Sequence, residues 1–551
     1  MVCPKEKHLP RNEETKLLNK LTDGIMLTHE IAERVRQEEL VQYAENLSDL
    51  YARTYDVEAR KLKGQFFTPR QVSLYMSSLF EIHHDTIRLL DPGAGTGILT
   101  AAFCERLLHS NRTAKLIVDA YENDPILLPL LREVLETCKL ALEGRGHIVD
   151  YHIYEQDFIL SNERYFKKPD LFSTGTEHPF YDFVISNPPY YKLNKDSPQS
   201  TVVAELVSGQ PNIYALFMAL STTMLSPEGE MVFITPRSFC SGLYYKKFRE
   251  WLLRNVQLTN IHTFESRKEI FDKDKVLQEN VIIKAKGRRA TSEHDKVTIT
   301  VSRNKHFDKL ATIEVASTDV IHQSNGETFI RIPTSPFDVN VLHTIDRWPN
   351  TLRDLGLEIS TGPVVPFRAK QYLLPGLTNS AESAPLLWMH NMQNIWVTWP
   401  LKKNKKPSAI RLCKATLPLL VPVMNYTLVK RFSSKEQRRR LHAAVLLQSE
   451  FPYQSVGVEN HVNYIHRPRG SLSVYEAFGI AALLNTTIVD NYFRSLNGNT
   501  QVNAIDIRSL PLPGIEDIVK IGEVVYKSQS SRNGFDLEGT VNSILGIVIL
   551  E

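Results

Sequence analysis

Between about residue 87 and residue 285 the chain alternates short apolar runs with amphipathic stretches. Ile87 to Asp91, Leu116 to Tyr121, Ile148 to Tyr154, Phe183 to Ser186, Met231 to Thr235, Thr259 to Thr263 and Val281 to Ala285 have strand length. Ile98 to Leu108, Pro125 to Leu142, Ile213 to Leu225 and Leu243 to Leu253 space their apolar residues as helices do. Strands alternating with helices predict an α/β fold whose mainly parallel, seven-stranded sheet is covered on both faces. In such a sheet ligands bind at the carboxyl ends of the strands, near the point where strand order reverses.

The flanks read differently. In residues 1–60 the positions Ile25, Leu27, Ile31, Val35, Leu40, Tyr43 and Leu47 fit one amphipathic helix. The loop Lys63-Gly64-Gln65-Phe66-Phe67-Thr68-Pro69 follows, and a helix opens at Pro69, since proline after threonine suits a first helical turn. Beyond about residue 300 the alternation ends, although some 250 residues remain. The expected organisation is a helical segment at 1–60, an α/β domain at 61–300 and a mixed α+β domain at 301–551.

Composition narrows the class without choosing a function. A chain of 551 residues, 42% hydrophobic and 23% charged, is globular and too long for one core. Its net charge of +3 is mild, so any polyanion site has to come from local clustering. Five scattered cysteines without a CxxC pair predict reduced thiols and no metal site. The polar N-terminus lacks a signal-peptide core and no run reaches 18 apolar residues, so a cytoplasmic protein without a membrane partner is expected.

The distinctive residues fall at predicted strand ends. Phe183 to Ser186 runs into Asn187-Pro188-Pro189-Tyr190, where proline ends ladder pairing and holds the chain rigid. The Asn187 amide oxygen and the Pro188 carbonyl are two fixed acceptors for an exocyclic amine, and Tyr190 offers a ring on which a nucleobase could stack. A common strand-ending turn reads the same way locally. Asp91-Pro92-Gly93-Ala94-Gly95-Thr96-Gly97 lets a ligand approach the backbone, but it has neither dinucleotide nor P-loop spacing. Asp91 there disfavours a pyrophosphate and suits a cationic amine. Glu122, followed by Asn123, is placed for ribose hydroxyls, and Asp157 with Phe158 for an adenine amine and ring. Each carboxylate alone also reads as a solvated loop charge; together in one frame they describe an adenosine with an amino-acid tail.

These motifs resemble the S-adenosylmethionine-dependent methyltransferases, and more narrowly the gamma-type N6-adenine DNA methyltransferases. The likeness covers about residues 60–290: GQFFTP at 64–69 resembles the upstream cofactor motif, DPGAGTG the glycine loop and NPPY the catalytic signature. The resemblance implies a Rossmann-like domain that binds S-adenosylmethionine, releases S-adenosylhomocysteine and needs no metal. It implies cofactor contacts from Phe66, Thr68, Pro69, Asp91, Gly93, Ala94, Gly95, Glu122, Asn123, Asp157, Phe158 and Asn187. Asn187, Pro188, Pro189 and Tyr190 would be catalytic, with Phe271 as the downstream aromatic that supports an extruded base. A core phenylalanine is the plainer reading of Phe271.

In the second half, TGPVVPFR (361–368), LVKRFSSKEQRRRL (428–441) and VNAIDIRSLPLP (502–513) are similar to the recognition halves of type II restriction-modification methylases of the BsuBI and PstI group. Basic and aromatic residues interleave there, with runs at 402–406, 430–435 and 438–440. Candidate DNA contacts are Lys430, Arg431, Arg438 and Arg439 for phosphates, and Asn460, His461, Asn463 and Asn499 for base edges. A solvated face or an asparagine-rich turn is the ordinary alternative. Expected partners are double-stranded DNA and a separately encoded cognate restriction endonuclease without a stable complex, the protein itself being a monomer. The competing readings are N-methylation of RNA or of a protein glutamine, and a catalytically silent DNA-binding specificity module.

Overall fold

The computed structural model of the chain describes residues 39–55, 58, 60, 63–166, 180–206, 210–265, 279–287, 295–307, 309–324, 326–378, 382–401, 406–433, 437–497, 501–528 and 535–547. It divides into two compact units, residues 1–323 with 327–334, and 324–326 with 335–551.

The first unit is built on one sheet. Its strands are β1 (Thr86–Pro92), β2 (Lys115–Tyr121), β3 (Ile148–Tyr154), β4 (Tyr181–Ser186), β5 (Leu225–Pro236), β6 (Val256–Phe264), β7 (Asn280–Gly287), β8 (Lys296–Ser302) and β9 (Leu310–Ala316). They lie in the order β3-β2-β1-β4-β5-β7-β6-β8-β9, so the sheet has nine strands where a mainly parallel sheet of seven is expected. β1 pairs in parallel with β2 and β4, β2 with β3, and β4 with β5. β7 runs antiparallel between β5 and β6, β8 is parallel to β6, and β9 closes the edge antiparallel. The sheet is therefore mixed, and it continues past residue 300. The extra pair is hard to see in sequence because β9 is largely solvent-facing and carries little apolar signal.

Helices α1 (Leu40–Thr54), α2 (Arg70–Ser78), α3 (Ile98–Leu108), α4 (Leu128–Glu143), α5 (Phe158–Ser161), α6 (Ile213–Thr223) and α7 (Lys246–Asn255) belong to the same unit. α3 falls on the expected residues, whereas α4 starts three residues after Pro125. Of the expected N-terminal helix, Leu40, Tyr43 and Leu47 are buried along α1; Ile25, Leu27, Ile31 and Val35 lie outside the described residues. α6 is buried nearly all round, which accounts for its almost continuous apolar sequence. The position that matters most is β1 beside β4. Strand order reverses there, and the carboxyl ends of the two strands carry DPGAGTG and NPPY.

The second unit is a mixed α+β assembly. β10 (Glu358–Thr361), β12 (Tyr426–Lys430), β13 (Ala443–Leu446) and β15 (Val462–His466) belong to a six-stranded sheet in the order β10-β15-β12-β13 before two short strands. β11 (Ser383–Leu387) and β14 (Ser455–Val458) belong to a five-stranded sheet and pair in parallel. Leu387, Tyr426, Leu428, Ala444, Val456 and Val458 share one core. Among the described residues of the whole chain, no helix is long and apolar enough to cross a membrane.

Candidate active site

The NPPY segment is held from two directions. Ser186 Oγ donates to the Pro92 carbonyl at 2.7 Å, fastening the end of β4 to the head of the glycine loop. From above, the 63–69 loop lies on it: Tyr190 N–H donates to the Gly64 carbonyl at 3.3 Å. Gly64 has φ +63°, and a Cβ there would sit 2.8 Å from Tyr190 N. The motif glycine thus serves both the left-handed turn and the backbone approach.

Asn187 is oriented by its amide nitrogen. Nδ2 donates to the Phe66 carbonyl at 2.8 Å and to Thr68 Oγ1 at 3.0 Å. Both amide protons are used, so Oδ1 is fixed as the acceptor end of the group. The Tyr190 hydroxyl lies 2.6 Å from that oxygen and 2.9 Å from the Ile234 carbonyl, one proton between two acceptors. Its ring is buried, 5.8 Å from Phe66 and edge-on to Tyr214 at 6.3 Å. Burial holds the phenol well above its ordinary pKa, so it stays protonated and acts as a donor. Tyr190 thus has a hydroxyl role that the sequence reading, built on its face, did not include.

The glycine loop turns through positive φ at Gly93, Gly95 and Gly97 before α3. Asp91 is wholly buried at its start; Oδ2 accepts from Thr100 Oγ1 at 2.7 Å, while Oδ1 has no donor among the described residues. Desolvation raises its carboxyl to about 7. Glu122, at the end of β2, accepts from Gly95 N–H at 2.9 Å and from Asp124 N–H at 2.8 Å. It braces the loop, and burial, with Asp124 nearby, raises it to about 7 as well. Asn123 beside it is exposed. Asp157 caps α5: Oδ1 accepts from Ile159 and Leu160 N–H, both at 2.9 Å, and Oδ2 from Gln199 at 3.0 Å. Phe158 is buried against Tyr121 and Phe217 rather than displayed.

Four residues that the sequence reading missed tie these parts together. Lys63 Nζ and Gln65 Nε2 donate to Asp124 Oδ2 at 2.8 and 2.9 Å, and Tyr51 of α1 donates to Gln65 at 3.3 Å. Asp124 stood in view two positions after Glu122, but nothing in sequence spacing pairs it with residue 63. Phe67, edge-on to Tyr51 at 5.4 Å, flanks Gly95. Pro69 is the N-cap of α2 and fixes the exit of the loop. Phe271 lies outside the described residues.

In the second unit the candidate DNA residues separate. Asn463 is buried inside the sheet, accepting from Thr361 Oγ1 and donating to the Val502 carbonyl, both at 2.9 Å. Arg439 is tied to the Asn485 carbonyl and to Glu538. Arg438 is exposed, and Lys430 is half-buried with burial lowering its ammonium. Arg431, Asn460 and His461 come together: Arg431 N–H donates to the His461 carbonyl at 2.9 Å and Nη1 to the Asn460 carbonyl at 3.0 Å. Asn499 and most of the 402–406 run lie outside the described residues.

Residues 103–271 match the family described as Eco57I restriction-modification methylase. The chain is 34% identical over 490 residues to the type II methyltransferase M.BsuBI of Bacillus subtilis, covering 88% of this chain and 94% of that protein. It is 33% identical over 483 residues to the type II methyltransferase M.PstI of Providencia stuartii, covering 88% and 93%. A release factor glutamine methyltransferase of Bacteroides thetaiotaomicron is 21% identical over 260 residues, 45% of this chain and 78% of that one.

Proposed function

Because the chain belongs to the type II methyltransferases of restriction-modification systems, we propose that it transfers a methyl group to N6 of an adenine in duplex DNA. The observation that carries the adenine reading is the Asn187 carboxamide. With Nδ2 committed to Phe66 and Thr68, Oδ1 is a fixed acceptor. The adjacent Pro188 carbonyl, on which no donor lies among the described residues, is a second. Two acceptors suit the two N–H groups of an exocyclic amine, and they favour the charge that develops on nitrogen during attack. The motif holds no strong base and needs no covalent intermediate.

The residues of the first unit fit an adenosyl cofactor with a cationic tail. Asp91 leaves one buried carboxylate oxygen without a donor among the described residues, and the positive-φ glycines bring bare backbone beside it. Asp91, Glu122 and Asp157 would hold the group, with Phe66 and Phe67 against it. Glu122 and Asp157 each keep further lone pairs beyond the backbone donors they already accept. S-adenosylmethionine, when bound, supplies a methyl group activated on a sulfonium. The chain orients the acceptor nitrogen through Asn187 and holds that carboxamide in place through Thr68, Phe66 and Tyr190, so that positioning carries much of the rate.

An adenine stacked in a duplex cannot reach such a loop, so the reading includes base flipping, with Tyr190 and Phe271 against the extruded ring. The second unit is assigned to target recognition, and the biological role to protection of host DNA from a cognate endonuclease; the protein acts as a monomer in the cytoplasm. Methylation of a protein glutamine is the less favoured reading, because the likeness to the glutamine enzyme spans 45% of the chain whereas that to M.BsuBI spans 88%. Incubation with labelled cofactor and duplex DNA, followed by identification of the modified base, tests the proposal: N6-methyladenine in one sequence context is expected. Label in protein, RNA or cytosine would overturn it.

A further inference from the structure

Glu459, Asn460 and His461 form the turn between β14 and β15, closed by Val462 N–H on the Glu459 carbonyl at 2.9 Å. Glu459 is fully buried, yet both its oxygens serve the residue two positions on. Oε2 accepts from the His461 main-chain N–H at 3.1 Å, and Oε1 lies 2.8 Å from His461 Nδ1. Burial raises the Glu459 carboxyl, opposed by the charges of His461, Lys406 and Arg431. The main-chain bond alone would suffice to close the turn. A buried acid is costly to desolvate, and this one sets its second oxygen, which has no hydrogen-bond partner among the described residues, at ion-pair distance from a ring that is itself 40% exposed.

The ring is held on a second side. Phe432 packs against it at 4.6 Å and 89°, and Phe432 is anchored through its bridge to Gln501. Arg431, bonded to both the Asn460 and His461 carbonyls, fastens the turn to the end of β12. On the remaining side the turn leaves no room for a side chain: a Cβ on Gly362 would overlap the Glu459 carbonyl, and Asn460 N–H donates to the Val364 carbonyl at 2.9 Å. The TGP motif therefore sits where it braces this turn. Nδ1 faces the carboxylate in an ion-pair contact rather than an aligned hydrogen bond, so Nε2, on the far edge of the ring from that contact, is the atom available to a ligand.

We propose that His461 reads a base edge of the target DNA through Nε2, with Glu459 as the residue that positions it. The inference rests on the DNA reading above. A phosphate contact needs charge and tolerates a mobile side chain, whereas base readout needs one polar atom in fixed geometry. His461 is built in the second way, beside the cations that suit the backbone. Lys430 pairs with Val462 next to it, Arg431 bonds the turn's carbonyls, and Lys406 stands over the Trp388 ring at 4.4 Å within the same unit.

The test uses the whole 551-residue chain and its methylated site, with every single base-pair variant of that site. Both kcat/KM and cofactor-free DNA affinity are measured for wild type, His461→Ala and Glu459→Gln. A wrong base pair at a read position costs wild type about tenfold to a hundredfold. His461→Ala is expected to abolish discrimination at one base-pair position and leave the others unchanged. Glu459→Gln, which keeps an acceptor for the main-chain N–H, should weaken discrimination at that same position. A uniform loss over all sequences with a shallower salt dependence would make His461 a phosphate contact and overturn the proposal, as would a wild-type profile in His461→Ala. A wild type that binds DNA selectively but leaves it unmethylated would instead overturn the methyl-transfer reading, with the affinity profile still deciding on His461.

Discussion

Replacing Gly64 by alanine separates backbone strain from active-site geometry. At φ +63° an alanine costs about 1–2 kcal/mol in the left-handed region. The new Cβ would also lie 2.8 Å from Tyr190 N and 3.1 Å from Tyr190 C, main-chain atoms that cannot rotate away. Overpacking of that kind adds about 1–3 kcal/mol, so a total of about 2–5 kcal/mol is expected. The same displacement lifts the 64–69 loop from NPPY. The Phe66 carbonyl and Thr68 Oγ1 then leave the 2.8 and 3.0 Å positions from which they orient Asn187. Since misplacement by about 1 Å costs on the order of a hundredfold in rate, single-turnover methyl transfer at saturating cofactor should fall by about that factor. Gly326→Ala is the matched control: φ is +70° and, among the described residues, nothing lies within 4 Å of the added carbon. It should lose about 1–2 kcal/mol in denaturant unfolding with an unchanged single-turnover rate. A Gly64→Ala protein that turns over normally and unfolds like the control would refute the coupling of this loop to Asn187.

Asn187→Ala should reduce methyl transfer by at least about a hundredfold while calorimetric cofactor binding persists; near-normal turnover would remove Asn187 from the chemistry. Tyr190→Phe, which deletes only the hydroxyl 2.6 Å from Asn187 Oδ1, should slow single turnover by about twofold to tenfold. Tyr190→Ala should further impair capture of the extruded base, read by fluorescence of a base analogue at the target, and equal effects of the two variants would deny the ring a role. Cofactor affinity should rise with pH between about 5.5 and 7.5. Asp91 and Glu122 sit near 7 without ligand, and a cationic ligand favours their ionised forms, so each proton released gives up to about tenfold per pH unit. Without ligand the sign is opposite: these raised carboxyls stabilise the fold at acid pH, and that contribution is lost as pH climbs through about 7. Titration calorimetry on wild type and Asp91→Asn checks this, and a pH-independent affinity in wild type would contradict it.

The sheet was legible where strands are buried on both faces. β1, β2, β4 and β5 write themselves as apolar runs because water reaches neither side, and the motifs at their ends mark where the chain leaves the sheet. The edge was not. β9 shows solvent along most of its length, and a strand that buries so little has no hydrophobic period to detect. The site divided along a similar line. Asn187, Asp91 and Glu122 were readable because each belongs to a local motif whose residue types carry chemistry. Lys63, Gln65 and Asp124 were not, because their meaning lies in contacts across some sixty residues of chain, set by the fold.

In the second unit residues of like type sit in unlike places. Asn463 and His461 lie two positions apart in a stretch that reads as polar and adaptable, and both suit a base edge. On β15 side chains alternate, and that period sends Asn463 into the sheet, where it joins Thr361 to the Val502 carbonyl. His461 stands just before the strand begins, in a turn whose neighbours settle its direction: Glu459 beneath, Phe432 beside, and Gly362 with no Cβ to push it away. An asparagine with both ends of its amide satisfied internally cannot answer to a base without losing the bonds that hold two segments together. A histidine whose ring is packed in place and whose contact with the carboxylate beside it is an ion pair can. Whether a polar residue reads DNA or builds the reader is decided by what its partners have already used, and a sequence lists residues without listing partners.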